Sequence, residues 1–175
     1  MIHLIPIGED VRLETLDELA VGLAREFRES CHVREDRIDA AFAFDPVRKQ
    51  YHATSILRHL TGLTPEVRIL GVTSVDLCVP IFTFVFGEAQ LAGHCGVVSF
   101  YRLREEFYGL PSNRDIFRQR LLKEAVHELG HTYGLKHCTD WQCAMAASHT
   151  IDRLDVKGTR LCARCKRSIA AATKL

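Results

Sequence analysis

Two histidines four residues apart constrain this chain more than any other feature of its sequence. The segment His-Glu-Leu-Gly-His occupies residues 127–131. Residues four apart on an α-helix lie on one face about one turn apart, so His127 and His131 can reach a single ion while Glu128 points beside it. We therefore predict a metal-binding helix in the last third of the chain.

Gly134 and His137 extend this pattern. Gly134 can adopt the left-handed conformation that ends a helix, and the turn it allows would bring His137 back as a third ligand. Three neutral imidazoles leave a fourth position on zinc open for water, which is typical of a catalytic site. The alternative is that the histidines lie on a solvated helix surface and that Gly134 is an ordinary helix end.

The chemistry predicted for this site is hydrolysis of an amide. Zinc lowers the pKa of its bound water to about 7 and polarises a carbonyl group. Glu128 is then the predicted catalytic residue: it takes the proton from the attacking water and delivers it to the leaving amine. The alternative for Glu128 is a surface carboxylate without a role.

Four of the seven cysteines follow the histidines at intervals that suit a second, structural zinc ion. Two cysteines separated by two residues form a zinc knuckle, and a second pair across a loop completes a closed tetrahedral thiolate shell. Two disulfides are the alternative, and they require an oxidising compartment. The four predicted ligands are Cys138, Cys143, Cys162 and Cys165. With the three histidines they predict two Zn²⁺ ions per chain.

The combined motif resembles the archaemetzincins, a branch of the metzincin zinc metalloproteases that fuses a four-cysteine zinc site to the catalytic motif. The resemblance rests on His-Glu-x-x-His-x-x-Gly-x-x-His, on the cysteine that follows it directly, on Cys143 with Met145 two residues later, and on Cys-Ala-Arg-Cys at 162–165. It implies a compact mixed α/β metzincin fold with Met145 in the Met-turn beneath the catalytic zinc. The alternative is that Met145 only fills core space.

The chain departs from the wider metzincins in one respect. Some members place a tyrosine near the zinc after the Met-turn, but the last tyrosine here is Tyr133. His149 could contact substrate in its place, yet we interpret it as a solvated or core histidine and leave it out of the catalytic set. Three other cysteines lack metal-like spacing and are interpreted as small buried hydrophobes: Cys31, Cys78 and Cys95.

Hydrophobic spacing predicts an α/β (α+β) fold in which a mixed sheet is flanked by helices. Apolar runs predict strands at residues 3–7, 38–44, 67–75, 79–86 and 94–101. Residues 87–93 are interpreted as a connection. Val97 to Tyr101 is the predicted sheet edge along which a substrate peptide could lie, with an interior strand as the alternative.

Three helices are expected between and after these strands. The first spans residues 11–27, and the second opens at Asp45-Pro46 and closes at Gly62 with Pro65. The third, which carries the histidine motif, has a predicted N-cap at Ser112 and ends at Gly134.

The length of 175 residues suits one metzincin-like domain. Residues 1–134 would form the sheet and helices up to the active-site helix. Residues 135–175 would hold the third ligand, the Met-turn and the structural zinc site. We expect a monomer.

Charge and hydropathy exclude several kinds of partner. The formal net charge is +1, so no chain-wide basic field is available for nucleic acid or for an anionic membrane. The basic segment 153–175 lacks interleaved aromatic residues and is interpreted as a solvated face. We find no signal peptide and no membrane-length apolar run, and therefore expect a cytoplasmic protein.

Two function classes fit these observations. The first is a zinc metallopeptidase that acts on a peptide or protein, in the specific form of an aminopeptidase or small-peptide hydrolase because so short a chain leaves little material for an extended cleft. The second is a non-hydrolytic zinc-binding or interaction protein that retains the scaffold. The intact Glu128 favours the first class.

Overall fold

The structure is a computed structural model that describes residues 1–63 and 67–172. The predicted helix end at Pro65 lies outside these residues. The nine strands are β1 (Ile2–Ile7), β2 (Cys31–Val33), β3 (Phe44–Asp45), β4 (Gln50–His52), β5 (Arg68–Thr73), β6 (Leu77–Val79), β7 (Phe82–Val85), β8 (Gly87–Ala89) and β9 (Cys95–Ser99). The five α-helices are α1 (Leu13–Phe27), α2 (Ala53–Thr61), α3 (Arg114–Thr132), α4 (Ile151–Val156) and α5 (Ala163–Ala172).

Five strands form the main sheet in the order β2-β1-β5-β9-β8. β1, β2, β5 and β9 are mutually parallel, and β8 runs antiparallel to β9 along the edge. The short strands β3, β4, β6 and β7 form a second sheet in that order. The predicted mixed sheet flanked by helices is confirmed.

The main sheet separates two hydrophobic cores. Alternate residues of a strand point to opposite faces, so Leu70 of β5 packs towards α1 and α3 while its neighbour Ile69 packs towards α2. The first core also reaches the segment after α3, including Met145. As a result α3 is held between the sheet and the C-terminal part of the chain.

The predicted strand at 38–44 and the helix predicted from Asp45-Pro46 are wrong. The alanine-rich run forms a 3-10 turn at Ala41–Ala43, because alanine has little preference for a strand. The Asp45 carboxylate accepts the N–H groups of Val47 and Arg48, which makes a turn into β4. The helix therefore begins only at Ala53.

The predicted strand at 79–86 is two strands. β6 and β7 pair antiparallel around Pro80, which lacks the N–H group that a continuous ladder needs. The connection predicted at 87–93 contains β8, which is too short for its alternation to be read from sequence.

The prediction of an edge at Val97 to Tyr101 is also wrong. β9 lies between β5 and β8, so the alternative of an interior strand is correct, and β8 forms the edge.

Within the described residues, no helix is long and apolar enough to span a membrane.

Candidate metal centres and active-site cleft

Helix α3 positions three of the predicted site residues. Its N-cap is Asn113 rather than the predicted Ser112: the Asn113 side chain accepts the N–H groups of Asp115 and Ile116. Leu121, Ala125 and Leu129 recur four residues apart and are buried in the first core. The face that carries His127 and His131 is thereby directed towards the segment that follows the helix.

The three predicted histidine ligands are brought together. One ring nitrogen from each of His127, His131 and His137 lies within 4.8 Å of the others. The Nε2 atoms of His127 and His131 are 3.1 Å apart. Two nitrogen ligands of a tetrahedral zinc ion are separated by about 3.4 Å, so this arrangement fits a zinc ion with little adjustment.

Backbone carbonyls orient two of these rings. Nδ1 of His127 lies 2.9 Å from the carbonyl oxygen of Ala144, and Nδ1 of His131 lies 2.8 Å from that of Leu135. We assign the ring proton to Nδ1 in both residues, since a carbonyl can only accept. This leaves each Nε2 lone pair free for a metal, as in other sites where a ligating histidine donates through its second nitrogen.

The turn after α3 has the conformation expected from Gly134. This residue has a φ of +84°, in the left-handed region that favours glycine. The N–H of Leu135 bonds back to the carbonyl of Gly130 across the turn. The chain therefore reverses direction before residue 137, and His137 faces the two helical histidines.

Burial keeps the histidine cluster neutral. Desolvation lowers the pKa of His127 to about 3 and also lowers the pKa of His131 and His137. A neutral imidazole retains the lone pair that a metal requires. The donor set is therefore suited to zinc at neutral pH.

Glu128 lies beside the histidine cluster in an enclosed position. It is 5 % exposed, and burial, followed by the negative charge of Glu124, raises its pKa well above the usual range. A carboxyl group that readily holds a proton in this place can act as a general acid or base. The structure thus places Glu128 next to the predicted metal position, as expected from its neighbours in the sequence.

The four predicted cysteine ligands also form one cluster, with their sulfur atoms within 4.8 Å of one another. The Sγ atoms of Cys138 and Cys162 are 3.8 Å apart, as are those of Cys143 and Cys165. Sulfur ligands of a tetrahedral zinc ion are separated by about 3.8 Å, and a disulfide bond by about 2.05 Å. All four cysteines are free, so the alternative of two disulfides is wrong.

Hydrogen bonds at the cysteine cluster favour a negatively charged sulfur at Cys162, whereas burial raises the pKa of Cys143 and of Cys165. Arg164 donates to Sγ of Cys138, and the backbone N–H of Cys162 donates to Sγ of Cys143. Burial opposes ionisation of Cys162, but hydrogen bonds from the Cys165 backbone and the neighbouring thiols outweigh it and lower its pKa to about 7. Thiolates are the form in which cysteine binds zinc.

The two clusters share a peptide bond, because His137 and Cys138 are consecutive. The N–H of Cys138 donates to the carbonyl oxygen of Met145 at 2.8 Å. Met145 is fully buried, and a Cβ added to Gly130 on α3 would overlap its sulfur atom. Met145 therefore packs directly against the histidine helix, which agrees with the position expected of a Met-turn.

A cleft opens at the histidine cluster. It is a cavity of about 160 Å³. Phenylalanines from and directly after β7 line it together with the segment that follows Met145; these residues are Phe82, Phe84, Phe86, Ala147, Ser148 and His149. Edge strand β8 begins beside it at Gly87. A larger cavity of about 870 Å³ lies between the N-terminal ends of α1 and α3 and contains none of the predicted site residues.

His149 is exposed, in agreement with its interpretation as a solvated histidine. It also lines the cleft and stacks on Phe82 with a ring-centroid distance of 6.0 Å. Cys78 and Cys95 are buried as expected, whereas Cys31 is half-buried.

Two residues next to the site were missed by the sequence analysis. Lys157 and Glu124 form a buried ion pair behind His127. Glu124 lies three residues before His127 on α3, so helical spacing alone could have placed it on the same side. The sequence gives no such indication for Lys157, because its position beside Glu124 depends on the path of the chain after Met145.

The chain is similar to known proteins in sequence and in fold. The sequence profile of peptidase family M54 matches residues 30–171. The archaemetzincin of Methanocaldococcus jannaschii is 40 % identical over 156 residues, which cover 87 % of this chain and 86 % of that protein. That of Pyrococcus furiosus is 36 % identical and covers 97 % and 92 %.

Two solved structures have the same fold over nearly the whole chain. A zinc-dependent peptidase from Methanocorpusculum labreanum superposes with a TM-score of 0.87 at 29 % identity and covers 97 % of this chain and all of that one. An archaemetzincin from Archaeoglobus fulgidus, solved in complex with malonate, superposes with a TM-score of 0.83 at 34 % identity and covers 96 % and 99 %.

Proposed function

Because the chain belongs to peptidase family M54, the archaemetzincins, and is a zinc metallopeptidase, we propose that Glu128 activates the water that attacks the peptide bond. The proposed ligands of the catalytic zinc are His127, His131 and His137. One observation carries this proposal: a ring nitrogen from each of the three histidines lies within 4.8 Å of the others, and Glu128 lines the same cleft as His127 and His137.

When bound at the three histidines, zinc supplies a polarised carbonyl and a water of lowered pKa. The protein supplies the proton transfers. A Glu128 carboxylate oxygen accepts a proton from the attacking water, and the same group then donates it to the departing amine nitrogen. Burial raises the pKa of Glu128, which supports the return of the accepted proton to the amine nitrogen.

A second zinc ion is proposed at Cys138, Cys143, Cys162 and Cys165, with a structural role. The separations of the sulfur atoms support it, because they match those of a tetrahedral thiolate site. The four cysteines leave no position open for water. The ion would join α5 to the segment that carries the third histidine.

We propose that the substrate is a small peptide, or the amino end of a longer one, bound antiparallel or parallel to edge strand β8. An exposed edge strand can pair with an extended peptide through its backbone. The cavity of about 160 Å³ is large enough for one substrate side chain rather than for several. This size supports an aminopeptidase or small-peptide hydrolase.

Metal analysis combined with a peptide library tests the catalytic proposal. We expect purified protein to hold two zinc ions per chain and to cleave short peptides, and we expect Glu128→Gln to retain both ions while losing at least about a thousandfold in rate. Glu128→Ala, which also removes the carboxyl carbon, should likewise retain both ions and lose the same cleavage activity. Full zinc content without any Glu128-dependent cleavage would favour the non-hydrolytic interaction protein instead.

Cellular context and assembly complete the proposal. All seven cysteines are free, which supports a reducing compartment such as the cytoplasm. We further propose a monomer of one domain that binds neither nucleic acid nor membranes. Size-exclusion chromatography with light scattering, and a filter-binding assay with single- and double-stranded nucleic acid, test these points.

A further inference from the structure

Lys157 is a buried lysine that the proposed mechanism does not use. Its side chain is 1 % exposed, and its Nζ lies 2.8 Å from Oε1 of Glu124, which is 4 % exposed. Removing two charges from water is costly unless both are fully hydrogen-bonded. The other hydrogen-bond partners of Lys157 and Glu124 therefore indicate what this ion pair contributes to the site.

The Lys157 ammonium group joins two separate parts of the site. Besides Glu124 on α3, it donates to Oγ of Ser148 at 3.0 Å and to the carbonyl oxygen of Ala146 at 3.3 Å. Ser148 in turn donates to Oε1 of Glu124 at 3.0 Å. All three protons of the ammonium group thus have acceptors, and the acceptors lie on α3 and on the segment after Met145.

Residues 146–148, here named the wall segment, depend on these contacts for their position. Ala147 and Ser148 lie outside any helix or strand, and both line the cleft together with Phe84 and Phe86. A segment without backbone pairing of its own moves easily unless side chains hold it. Lys157 and Glu124 both hold the hydroxyl group of Ser148, and Lys157 also holds the carbonyl group of Ala146.

Lys157 itself is held from the other side. It directly follows α4, and α4 is fixed to α3 by Lys123, whose Nζ donates to the carbonyls of Leu154 and Asp155 at 3.1 Å and 2.9 Å. Arg120 adds two bonds to the Asp155 carboxylate. The backbone at Lys157 is therefore anchored by contacts that do not involve the wall segment.

We propose that Lys157 is a positioning residue that holds the wall segment at a fixed distance from α3 and thereby sets the width of the cleft for a substrate side chain. The inference that the width of the cleft selects substrate side chains rests on the proposed peptidase function. The position of the wall segment itself can be measured without turnover.

Hydrogen exchange of the zinc-loaded full chain tests the first half of the inference. Lys157→Met should accelerate exchange of the amides at 146–149 roughly tenfold, because Ala146 and Ser148 lose a common donor. Arg68→Met is the matched control, since it removes a half-buried cation that donates to two backbone carbonyls outside α4 and the wall segment. Equal acceleration in both variants would show a general loss of stability and overturn the proposal.

A double variant separates positioning from folding. Lys157→Met alone leaves Glu124 buried without a cation, so Glu124→Gln is added to make the pair neutral, a change that often restores stability. We expect this double variant to melt close to the wild-type temperature and still to exchange rapidly at 146–149. Wild-type exchange in a stable double variant would contradict a positioning role.

Two zinc-binding hydroxamates that differ only in a methyl or a benzyl side chain test the width of the cleft. We expect the zinc-loaded double variant to show at least about a fivefold smaller affinity ratio between them than the wild type, because a mobile wall discriminates less by size. An unchanged ratio overturns the inference. If the wild type cleaves no peptide but the substitutions change the exchange rates and the affinity ratio as expected, the proposed function is wrong and the positioning role of Lys157 is supported.

Discussion

Gly87 and Glu128 lie so close that a Cβ on Gly87 would come within 2.7 Å of the Glu128 carboxylate oxygen and within 2.6 Å of the carbonyl oxygen of Val97. Ordinary side chains do not fit in this gap. The start of edge strand β8 therefore forms one side of the space that holds the proposed general base.

We predict that Gly87→Ala lowers peptide hydrolysis at least about tenfold, because the new methyl group displaces either Glu128 or β8 and small misplacements of catalytic groups are costly. Zinc content should remain unchanged, since none of the proposed ligands is touched. Steady-state kinetics and metal analysis measure both quantities. Gly62→Ala is the control, because the nearest atom to its added Cβ would be 3.4 Å away; full activity in Gly87→Ala would contradict the prediction.

Gly130 provides a test of the contact between α3 and Met145. Replacing glycine by alanine inside an exposed helix stabilises it by about 1 kcal/mol, but here the new Cβ overlaps the Met145 sulfur. We therefore expect Gly130→Ala to destabilise the fold by about 2 kcal/mol. In denaturant unfolding, the loss should be smaller when Met145→Ala is already present; strict additivity would show that the two residues do not interact.

The consecutive positions of His137 and Cys138 predict coupling between the two metal sites. Cys162→Ser should remove the structural zinc and also weaken zinc binding at the histidines by about tenfold, because the backbone of the third ligand loses its anchor. Competition with a chromophoric chelator measures each site. Cys31→Ser, outside both clusters, should bind zinc as the wild type does, and an unchanged histidine site in Cys162→Ser would disprove the coupling.

Tyr133, directly after α3, predicts a pH-dependent contribution to stability. Its hydroxyl donates to Glu29 at 2.6 Å. Burial alone would raise the pKa of Glu29, but hydrogen bonds from the N-terminal ammonium group and from Tyr133 lower it overall. The carboxylate is thus favoured in the folded state, so this stabilisation is present above about pH 4.5 and is lost as the pH falls below it.

Accordingly, Tyr133→Phe should cost about 1 kcal/mol at pH 7 and much less at pH 3, while retaining the ring contacts with Phe27 and Arg68. Thermal unfolding at the two pH values measures the difference. Tyr108→Phe is the control, because Tyr108 donates to a backbone carbonyl that does not titrate. An equal cost of Tyr133→Phe at both pH values would contradict the assignment.

Local spacing predicted much of the site and less of the sheet. His127 and His131 are held on one face by helix geometry alone, and Gly134 by its backbone freedom, so their arrangement could be derived from a few residues. β8 could not be derived in this way. Its three residues pair with β9 because the preceding hairpin places them there. Three residues are too few to show a periodic pattern that would predict a strand.

The same distinction applies to the polar residues around the site. The spacing of Cys162 and Cys165 indicates a metal site, whereas nothing in the sequence distinguishes Lys157 from the other basic residues of segment 153–175. Its burial follows from α4, which is anchored to α3 by contacts of Lys123 and Arg120. Interactions set by the path of a connecting segment are tertiary, and residue type alone does not reveal them.

The order of the elements has a consequence for biosynthesis. Every strand of the main sheet precedes α3, and the seven proposed ligands follow only between His127 and Cys165. A ribosome therefore releases every strand of the main sheet before it releases any metal-binding residue. A nascent chain interrupted before Cys165 would have all of that sheet and an incomplete thiolate site.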